Sequence, residues 1–179
     1  MFKKYYKNKK ENEYIKKTQA EINLGKTDEN LPNFELCSLS DLTVLNQEFT
    51  KLDGEKVKLN EIKNKIIFIN IWATWCVPCI AEFPHFMKLV SDFKNENIEF
   101  LFLSYESTEI IKSFAIKKGF SLPFYTYNYE DLKDNKLFKS EAIPLTIILS
   151  KDKIYALKAE GTASWSDISM NELLKNLTK

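Results

Sequence analysis

The amino-acid sequence predicts an α/β fold in which a central mixed β-sheet is flanked by helices. The first observation is the segment 65–71, which is almost continuously β-branched or aromatic, as in a strand buried on both faces of a sheet. The second is the segment 77–93, where apolar residues recur at helical spacing directly after that strand. The third is a repeat of this order, with a strand over 98–103 and a helix over 108–118. Such alternation is typical of parallel strands joined by crossover helices.

Composition indicates one folded domain and argues against two classes of partner, nucleic acids and nucleotides. A chain of 179 residues that is 44% hydrophobic and 13% aromatic can bury one compact core. We expect a domain over residues 31–179, preceded by a polar, lysine-rich extension over residues 1–30. The net charge is +1 and every basic residue is a lysine, so the guanidinium groups that favour nucleic acid are missing. Four glycines do not suffice for a loop that cradles phosphate.

Membrane and export signals are weak in this sequence. No apolar run approaches the roughly 18 residues that a membrane-spanning helix requires, so we expect no transmembrane segment. The first ten residues are basic, like the start of a signal peptide, but the residues that follow are polar where an apolar stretch should be. We therefore expect that an export segment was removed or that none existed.

The elements before the buried strand are predicted to be extended. Strands are expected over 34–39 and 52–59, with Asp53 and Gly54 as a turn near the start of the second. Together they would form an N-terminal β-hairpin extension of the sheet. In the helix over 77–93, Pro78 suits the first turn and Pro84 predicts a kink.

The elements after the buried strand complete the sheet. Gly119 is expected to end the helix over 108–118. An extended stretch over 123–127, a short helix over 131–138, and a hairpin of 145–149 with 153–159 follow. A terminal helix is predicted with Ser166 as its N-cap. Its inward-facing residues would be Ile168, Leu173, Leu174 and Leu177.

Cys76 and Cys79 are the candidate redox pair. A C-x-x-C at the start of a helix brings the two Cα atoms within the roughly 7 Å that a disulfide requires. On the first turn, Cys76 receives free N–H groups and the positive end of the helix dipole, which lower its pKa from about 8.5 and make it the attacking nucleophile. Cys79, one turn further in, would then resolve the mixed disulfide.

Two other interpretations of this pair remain open. The cysteines could be inert members of a core helix. A zinc site would need two further ligands, for which the candidates are Cys37 and His85, outside the usual paired spacing. The predicted chemistry needs neither a metal nor an organic cofactor.

Three segments, IFINIWATWCVPCIAEFP, LPNFEL upstream and AIPLTIIL downstream, together resemble the TlpA/ResA-type branch of the thioredoxin superfamily. The resemblance covers residue 31 to the end and implies a thioredoxin-like fold. It also implies a thiol:disulfide oxidoreductase that acts as a reductant on cysteine-containing protein substrates and is recharged by a thiol/disulfide electron donor. It places such a protein in the periplasm or cell envelope, with the cytoplasm as the alternative. We expect a monomer.

The resemblance also assigns roles to individual residues. Ile143 and Pro144 would form a cis peptide bond that faces the dithiol, where the backbone binds the incoming peptide. Glu82 matches the active-site glutamate of the branch and would shuttle a proton, although a solvated early-helix glutamate is the alternative. Trp75 would contact substrate. Asn70 replaces the buried aspartate of many thioredoxins, and an amide cannot take the proton.

Two other functions are consistent with the sequence. Related folds include thiol peroxidases, and a non-catalytic binding module would keep Cys76 and Cys79 as a static disulfide. The unusually long segment 38–51 would shape partner choice. Cys37 is expected to be a buried structural thiol rather than a third redox group.

Overall fold

The computed structural model describes Lys16, residues 31–39 and residues 43–178. The predicted extension over residues 1–30 therefore lies outside the described residues, apart from Lys16, and the boundary near residue 31 stays a prediction. In the described part of the chain, no helix is both long enough and apolar enough to cross a membrane.

Eight strands form one mixed sheet with the order β1-β8-β7-β4-β5-β6-β2-β3. The strands are β1 Glu35–Ser38, β2 Glu48–Lys51, β3 Lys56–Lys58, β4 Ile66–Ile71, β5 Ile98–Ser104, β6 Phe124–Thr126, β7 Leu145–Leu149 and β8 Tyr155–Glu160. The α-helices of the described residues are α1 Val77–Asp92, α2 Thr108–Lys118, α3 Tyr129–Leu132 and α4 Ile168–Thr178, and a 3-10 turn spans Thr43–Asn46. The predicted mixed sheet with flanking helices is confirmed.

The strand directions define the edge of the sheet that matters for function. Strands β4, β5 and β6 run parallel to one another, so their carboxyl ends lie at one edge. Strand β7 is antiparallel to β4 and pairs Leu145 with Ile71, so β7 starts at this same edge. Because α1 begins just after β4, the two cysteines lie at this edge.

The core divides into two layers on either side of the sheet. Along β4, Phe68 belongs to the cluster that packs against α1, whereas Ile67 and Ile69 belong to the cluster on the other face. All six β4 residues are buried, as the unbroken apolar run predicted. The layer on the α1 side contains many aromatic contacts. The centroid of the Phe86 ring lies 5.4 Å from that of Trp165 and 5.0 Å from that of Phe102.

The N-terminal hairpin differs from the prediction in its strands. Asp53 and Gly54 form the turn between β2 and β3, with Gly54 at φ 96°, so the strand predicted from residue 52 starts only at Lys56. Strand β2 was missed because it is short and three of the four residues of Glu48–Lys51 are polar. Strand β1 is not part of this hairpin: it pairs with β8 at the opposite edge of the sheet.

Helix α2 has its predicted bounds and ends at Gly119, which has φ 72°. Two other helix predictions were wrong. The helix predicted over 131–138 is the single turn α3, capped by the Asn128 side chain.

At the C-terminal helix the predicted cap is wrong. Helix α4 begins at Ile168, where the Asp167 carboxylate accepts the Ser169 N–H, and Ser166 Oγ contacts His85 Nδ1 instead. Ile168 is 76% exposed rather than inward-facing, because it lies on the first, solvent-facing turn. Leu173 and Leu174 are buried as predicted.

Candidate active site

The cysteine pair lies where strand β4 delivers the chain to helix α1. Cys76 is the N-cap residue of α1, and Pro78 occupies the first turn, where a missing N–H costs no hydrogen bond. The two residues form a disulfide with an S–S distance of 1.98 Å and a Cα–Cα distance of 5.3 Å. The Cys79 amide donates to Cys76 Sγ at 3.3 Å. A negative charge on Cys76 would therefore be stabilised by a backbone donor and by the helix dipole.

The Ile143 backbone meets the dithiol from the neighbouring strand. Its carbonyl oxygen lies 3.7 Å from Cys76 Sγ, and the Ile143–Pro144 peptide bond is cis. This proximity follows from the pairing of Leu145 with Ile71, which places the start of β7 beside the end of β4. The structure thus brings two of the sequence-predicted substrate-binding residues to the redox pair.

Glu82 is buried one turn beyond Cys79 on the same helix. Its Oε1 accepts a hydrogen bond from the Ala163 amide at 2.7 Å and another from Trp165 Nε1 at 2.6 Å. Its Oε2 is buried and has no hydrogen-bond partner in the described residues. Burial raises the pKa of Glu82 to about 7, and the two hydrogen bonds oppose that rise by favouring the charged form. The side chain can therefore exchange a proton near neutral pH.

Asn70 lies on strand β4, on the face of the sheet that packs against α1. It is fully buried, and its Nδ2 donates to Thr146 Oγ1 on β7 at 3.0 Å. Because an amide does not ionise, Asn70 cannot act as an acid or a base. Among the described residues, Glu82 is the one acidic side chain that is buried. Apart from the cysteine thiols, the group of this layer that can hold a proton is therefore Glu82.

Glu106 anchors the loop that precedes the dithiol, and sequence reasoning missed it. Its Oε2 accepts the Thr74 amide at 2.6 Å and the Ser104 hydroxyl at 3.1 Å, and its Oε1 accepts the Thr74 hydroxyl at 2.6 Å. The available signal was an acidic residue two positions after the buried strand β5, whose carboxyl end meets the edge that carries the dithiol.

The two tryptophans of the motif have different environments. Trp72 is fully buried and packs on Phe83, with ring centroids 4.9 Å apart. Trp75 is 62% exposed, and its Nε1 donates to Tyr105 Oη at 3.3 Å. The Tyr105 ring in turn contacts Tyr129. Of the two, only Trp75 is exposed, and its contact with substrate stays a prediction, whereas the two tyrosines were not predicted.

Cys37 is not brought to the redox pair. It lies on β1, which β8 and β7 separate from β4. Cys37 is a free cysteine that is only half-buried, rather than fully buried as expected, and its pKa is raised chiefly by burial and then by Glu35. The described part of the chain contains no group of three or more His, Cys, Asp or Glu residues that could hold a metal ion.

Comparison with known proteins identifies the fold and the chemistry. The AhpC/TSA family matches residues 28–156. The thiol-disulfide oxidoreductase ResA of Bacillus thuringiensis subsp. konkukian is 30% identical over 132 residues, which cover 72% of this chain and 73% of that protein.

Solved structures agree on the thioredoxin-like fold. The thioredoxin domain of a thiol-disulfide oxidoreductase from Bacteroides vulgatus superposes with a TM-score of 0.62 at 19% identity, covering 79% of this chain and 100% of that one. A thiol:disulfide interchange protein of the thioredoxin family from Chlorobium tepidum gives 0.60 at 16% identity, covering 76% and 97%. The fold predicted from the sequence is thereby confirmed.

Proposed function

We propose, since this chain belongs to the AhpC/TSA family and is a thiol:disulfide oxidoreductase, that it reduces disulfide bonds of protein substrates with Cys76 and Cys79. The observation that carries the proposal is the position of Cys76, whose sulfur accepts an amide hydrogen bond at the start of α1. A helix N-terminus and a backbone donor favour the thiolate form of a cysteine, which is the form that attacks a disulfide.

The reaction consists of two thiol–disulfide exchanges. In the reduced protein the Cys76 thiolate attacks one sulfur of the substrate disulfide, forms a mixed disulfide and releases the other substrate sulfur as a thiolate. Cys79 then attacks Cys76 Sγ, which releases the second substrate thiol and closes the Cys76–Cys79 disulfide. Two electrons pass to the substrate, and a thiol/disulfide donor protein must return them before the next cycle.

Glu82 is assigned the proton transfer of the second exchange. Cys79 must lose its proton before it attacks, and Glu82 lies three residues further along the helix, on the same face. Its Oε1 is occupied by two donors, whereas its Oε2 is unpaired among the described residues and can take the proton. A pKa of about 7 suits a group that must accept and return a proton at neutral pH.

Substrate binding is assigned to the backbone at Ile143 and Pro144 and to Trp75. The Ile143 carbonyl oxygen lies close enough to Cys76 Sγ that a chain bound to it would place its cysteine at the dithiol. Trp75 offers an exposed ring directly beside Cys76 in the sequence.

The test is the reduction potential of the pair, measured in a Cys37→Ser background so that only two thiols remain. The protein is equilibrated in glutathione or dithiothreitol buffers of defined potential, and its free thiols are then trapped by alkylation and counted. A value near about −270 mV would support a reductant, and one near about −120 mV would make the protein an oxidant. In the reduced protein, Cys79→Ser should accumulate the mixed disulfide with a substrate, because the second exchange is blocked.

Other outcomes decide between this proposal and its alternatives. A pair that does not open in any buffer would leave a binding module with a static disulfide. Consumption of hydrogen peroxide at a rate above that of disulfide reduction would favour a thiol peroxidase.

The proposed location is outside the cytoplasm, in the periplasm or cell envelope. It is supported by the similarity to ResA and is tested separately, by cell fractionation with an antibody to this chain. Recovery with cytoplasmic markers would contradict it.

A further inference from the structure

Exposed apolar side chains are concentrated around the dithiol. In the described part of the chain, seven large apolar side chains are exposed, and four of them lie at the edge of the sheet that carries Cys76. Their exposed fractions are 62% for Trp75, 75% for Val77, 46% for Tyr105 and 54% for Tyr129. Apolar groups that cluster on a surface mark sites where another molecule binds.

Three of these side chains form a continuous surface, the aromatic strip, which consists of Trp75, Tyr105 and Tyr129. Trp75 Nε1 donates to Tyr105 Oη at 3.3 Å, and the Tyr105 and Tyr129 rings meet edge to face with centroids 6.1 Å apart. The three residues follow the carboxyl ends of β4, β5 and β6. The strip therefore runs across three neighbouring parallel strands, away from the dithiol.

Cys76 lies between this strip and the backbone of Ile143. Strand β7, which follows Ile143, neighbours β4 on the side opposite β5. A chain that contacts the Ile143 carbonyl and follows this edge of the sheet across the strands passes over Cys76 and then over Trp75 and Tyr105 towards Tyr129.

We propose that the aromatic strip binds the substrate chain beside its reactive cysteine and selects substrates with large apolar side chains two and four residues from that cysteine. Adjacent strands lie about 4.8 Å apart, so the distance from β4 to β6 is about 10 Å, and an extended chain covers it in about three residues. Alternate side chains of an extended chain share a face, so positions two and four face the protein together with the cysteine. The inference rests on the proposed function and names its substrate class.

The carboxylates beside the strip already have partners, so they do not indicate a cationic ligand. The Glu106 carboxylate is occupied by Thr74 and Ser104, and Glu130 pairs with Lys133. The free features of the strip are therefore its ring faces and hydroxyl edges, which suit aromatic and aliphatic side chains.

The experiment uses ten-residue peptides with one cysteine held as a mixed disulfide with 5-thio-2-nitrobenzoate. Paired peptides carry either phenylalanine or serine two and four residues from the cysteine, first on one side and then on the other. Reduced full-length protein in the Cys37→Ser background, which serves as the wild type here, is mixed with each peptide in a single turnover, and release of the coloured thiol gives the half-saturating concentration. For one of the two sides we expect the phenylalanine peptide to saturate at about tenfold lower concentration, as two ring contacts of about 0.7 kcal/mol each would give.

Variants connect this preference to the strip. Tyr129→Ser should lower the ratio between the two peptides from about ten to about three, because one of the two ring contacts is lost, and Tyr129→Phe should keep it, because the ring is retained. Ile116→Ser is the matched control, since Ile116 is 83% exposed on α2 and outside the strip. This variant should behave as the wild type.

The outcomes separate the inference from the proposed function. If the reduced Cys37→Ser protein, in which Cys76 and Cys79 are the only thiols, does not react with 5,5′-dithiobis(2-nitrobenzoate), a disulfide without a peptide, the proposed function fails. If it reacts but reduces the two peptides at equal half-saturation, or if Tyr129→Ser keeps the preference, only the aromatic selection is overturned. A wild-type dimer that Tyr129→Ser converts to a monomer would assign the strip to a second copy of this chain and also overturn it.

Discussion

At the scale of single residues, Trp165 determines how the Glu82 carboxyl is held. Its indole is fully buried, packs on Phe86 and donates to Glu82 Oε1 at 2.6 Å. Trp165 and the Ala163 amide both donate to Oε1, so Oε2 is the oxygen that remains able to take a proton. In the proposed mechanism Trp165 is a positioning residue, since it would act on Cys79 only through Glu82.

We predict that Trp165→Phe raises the pKa of Glu82 above its value of about 7. The indole donor favours the charged carboxylate, and a hydrogen bond to a charged group contributes about 1.5 kcal/mol, which corresponds to roughly one pH unit. The shift can be measured directly by titrating ¹³C-labelled glutamate carboxyls by NMR. The limb near pH 7 in the rate of disulfide exchange should move upward by the same amount.

Trp72→Phe provides the matched control for that prediction. Trp72 is also a fully buried tryptophan of the α1 layer, but its Nε1 has no hydrogen-bond partner within the described residues. The variant removes the same volume and no hydrogen bond, so the Glu82 titration should stay in place. Equal shifts in the two variants would show that packing, and not the indole donor, sets the pKa.

At the scale of elements, the loop between β4 and α1 depends on the end of β5. Glu106 accepts both the amide and the hydroxyl of Thr74, two residues before Cys76. We predict that Glu106→Ala increases amide hydrogen exchange at Thr74 about tenfold, because a charge-assisted hydrogen bond of about 1.5 kcal/mol is lost. Exchange measured by NMR on the oxidised protein reports this change.

Two further variants make the loop prediction specific. Glu106→Gln keeps an acceptor oxygen and should fall between the wild type and Glu106→Ala. Glu96→Ala removes an exposed carboxylate in the turn before β5 and should leave Thr74 unchanged. Unaltered exchange in Glu106→Ala would mean that Thr74 is held by other parts of the loop.

The elements show which parts of this fold are encoded locally. Helix α2 and strand β7 have the predicted bounds. Helix α2 is a long pattern with a clear end signal at Gly119, and strand β7 is a short, nearly unbroken apolar run. Strand β2 was missed because four residues, three of them polar, carry little pattern, and its pairing with β6 joins positions about 75 residues apart.

The candidate site divides in the same way. Cys76, Cys79, Glu82 and Trp75 are contiguous in one motif and could be proposed from the sequence. Trp165 and Tyr129 could not be proposed in this way, because the sheet order and the docking of the last helix bring them to the site. Trp165 contacts Glu82 from 83 residues away in sequence, and Tyr129 contacts Tyr105 from 24 residues away. Local periodicity does not specify such contacts.

At the scale of the whole molecule, the buried Glu82 links the chemistry of the site to folding stability. Its pKa is about 7 in the folded protein, against 4.5 for an unperturbed glutamate. Between these two pH values the folded state therefore binds more protons than the unfolded state. The free energy of unfolding must then fall as the pH rises through this window.

We predict that this fall amounts to about 3 kcal/mol and is absent in Glu82→Gln, since one pKa unit corresponds to about 1.4 kcal/mol. The free energy of unfolding is measured by urea titration of the oxidised wild type and variant between pH 4.5 and 8. The other ionisable groups cancel in the difference between the two proteins, so the stability of Glu82→Gln relative to the wild type should increase with pH and level off above pH 7. Glu96→Gln, at an exposed position, should follow the wild type at every pH. Parallel curves for Glu82→Gln and the wild type would mean that Glu82 titrates alike in the folded and unfolded chains, and would remove the basis for the proton-carrier role that we propose for it at neutral pH.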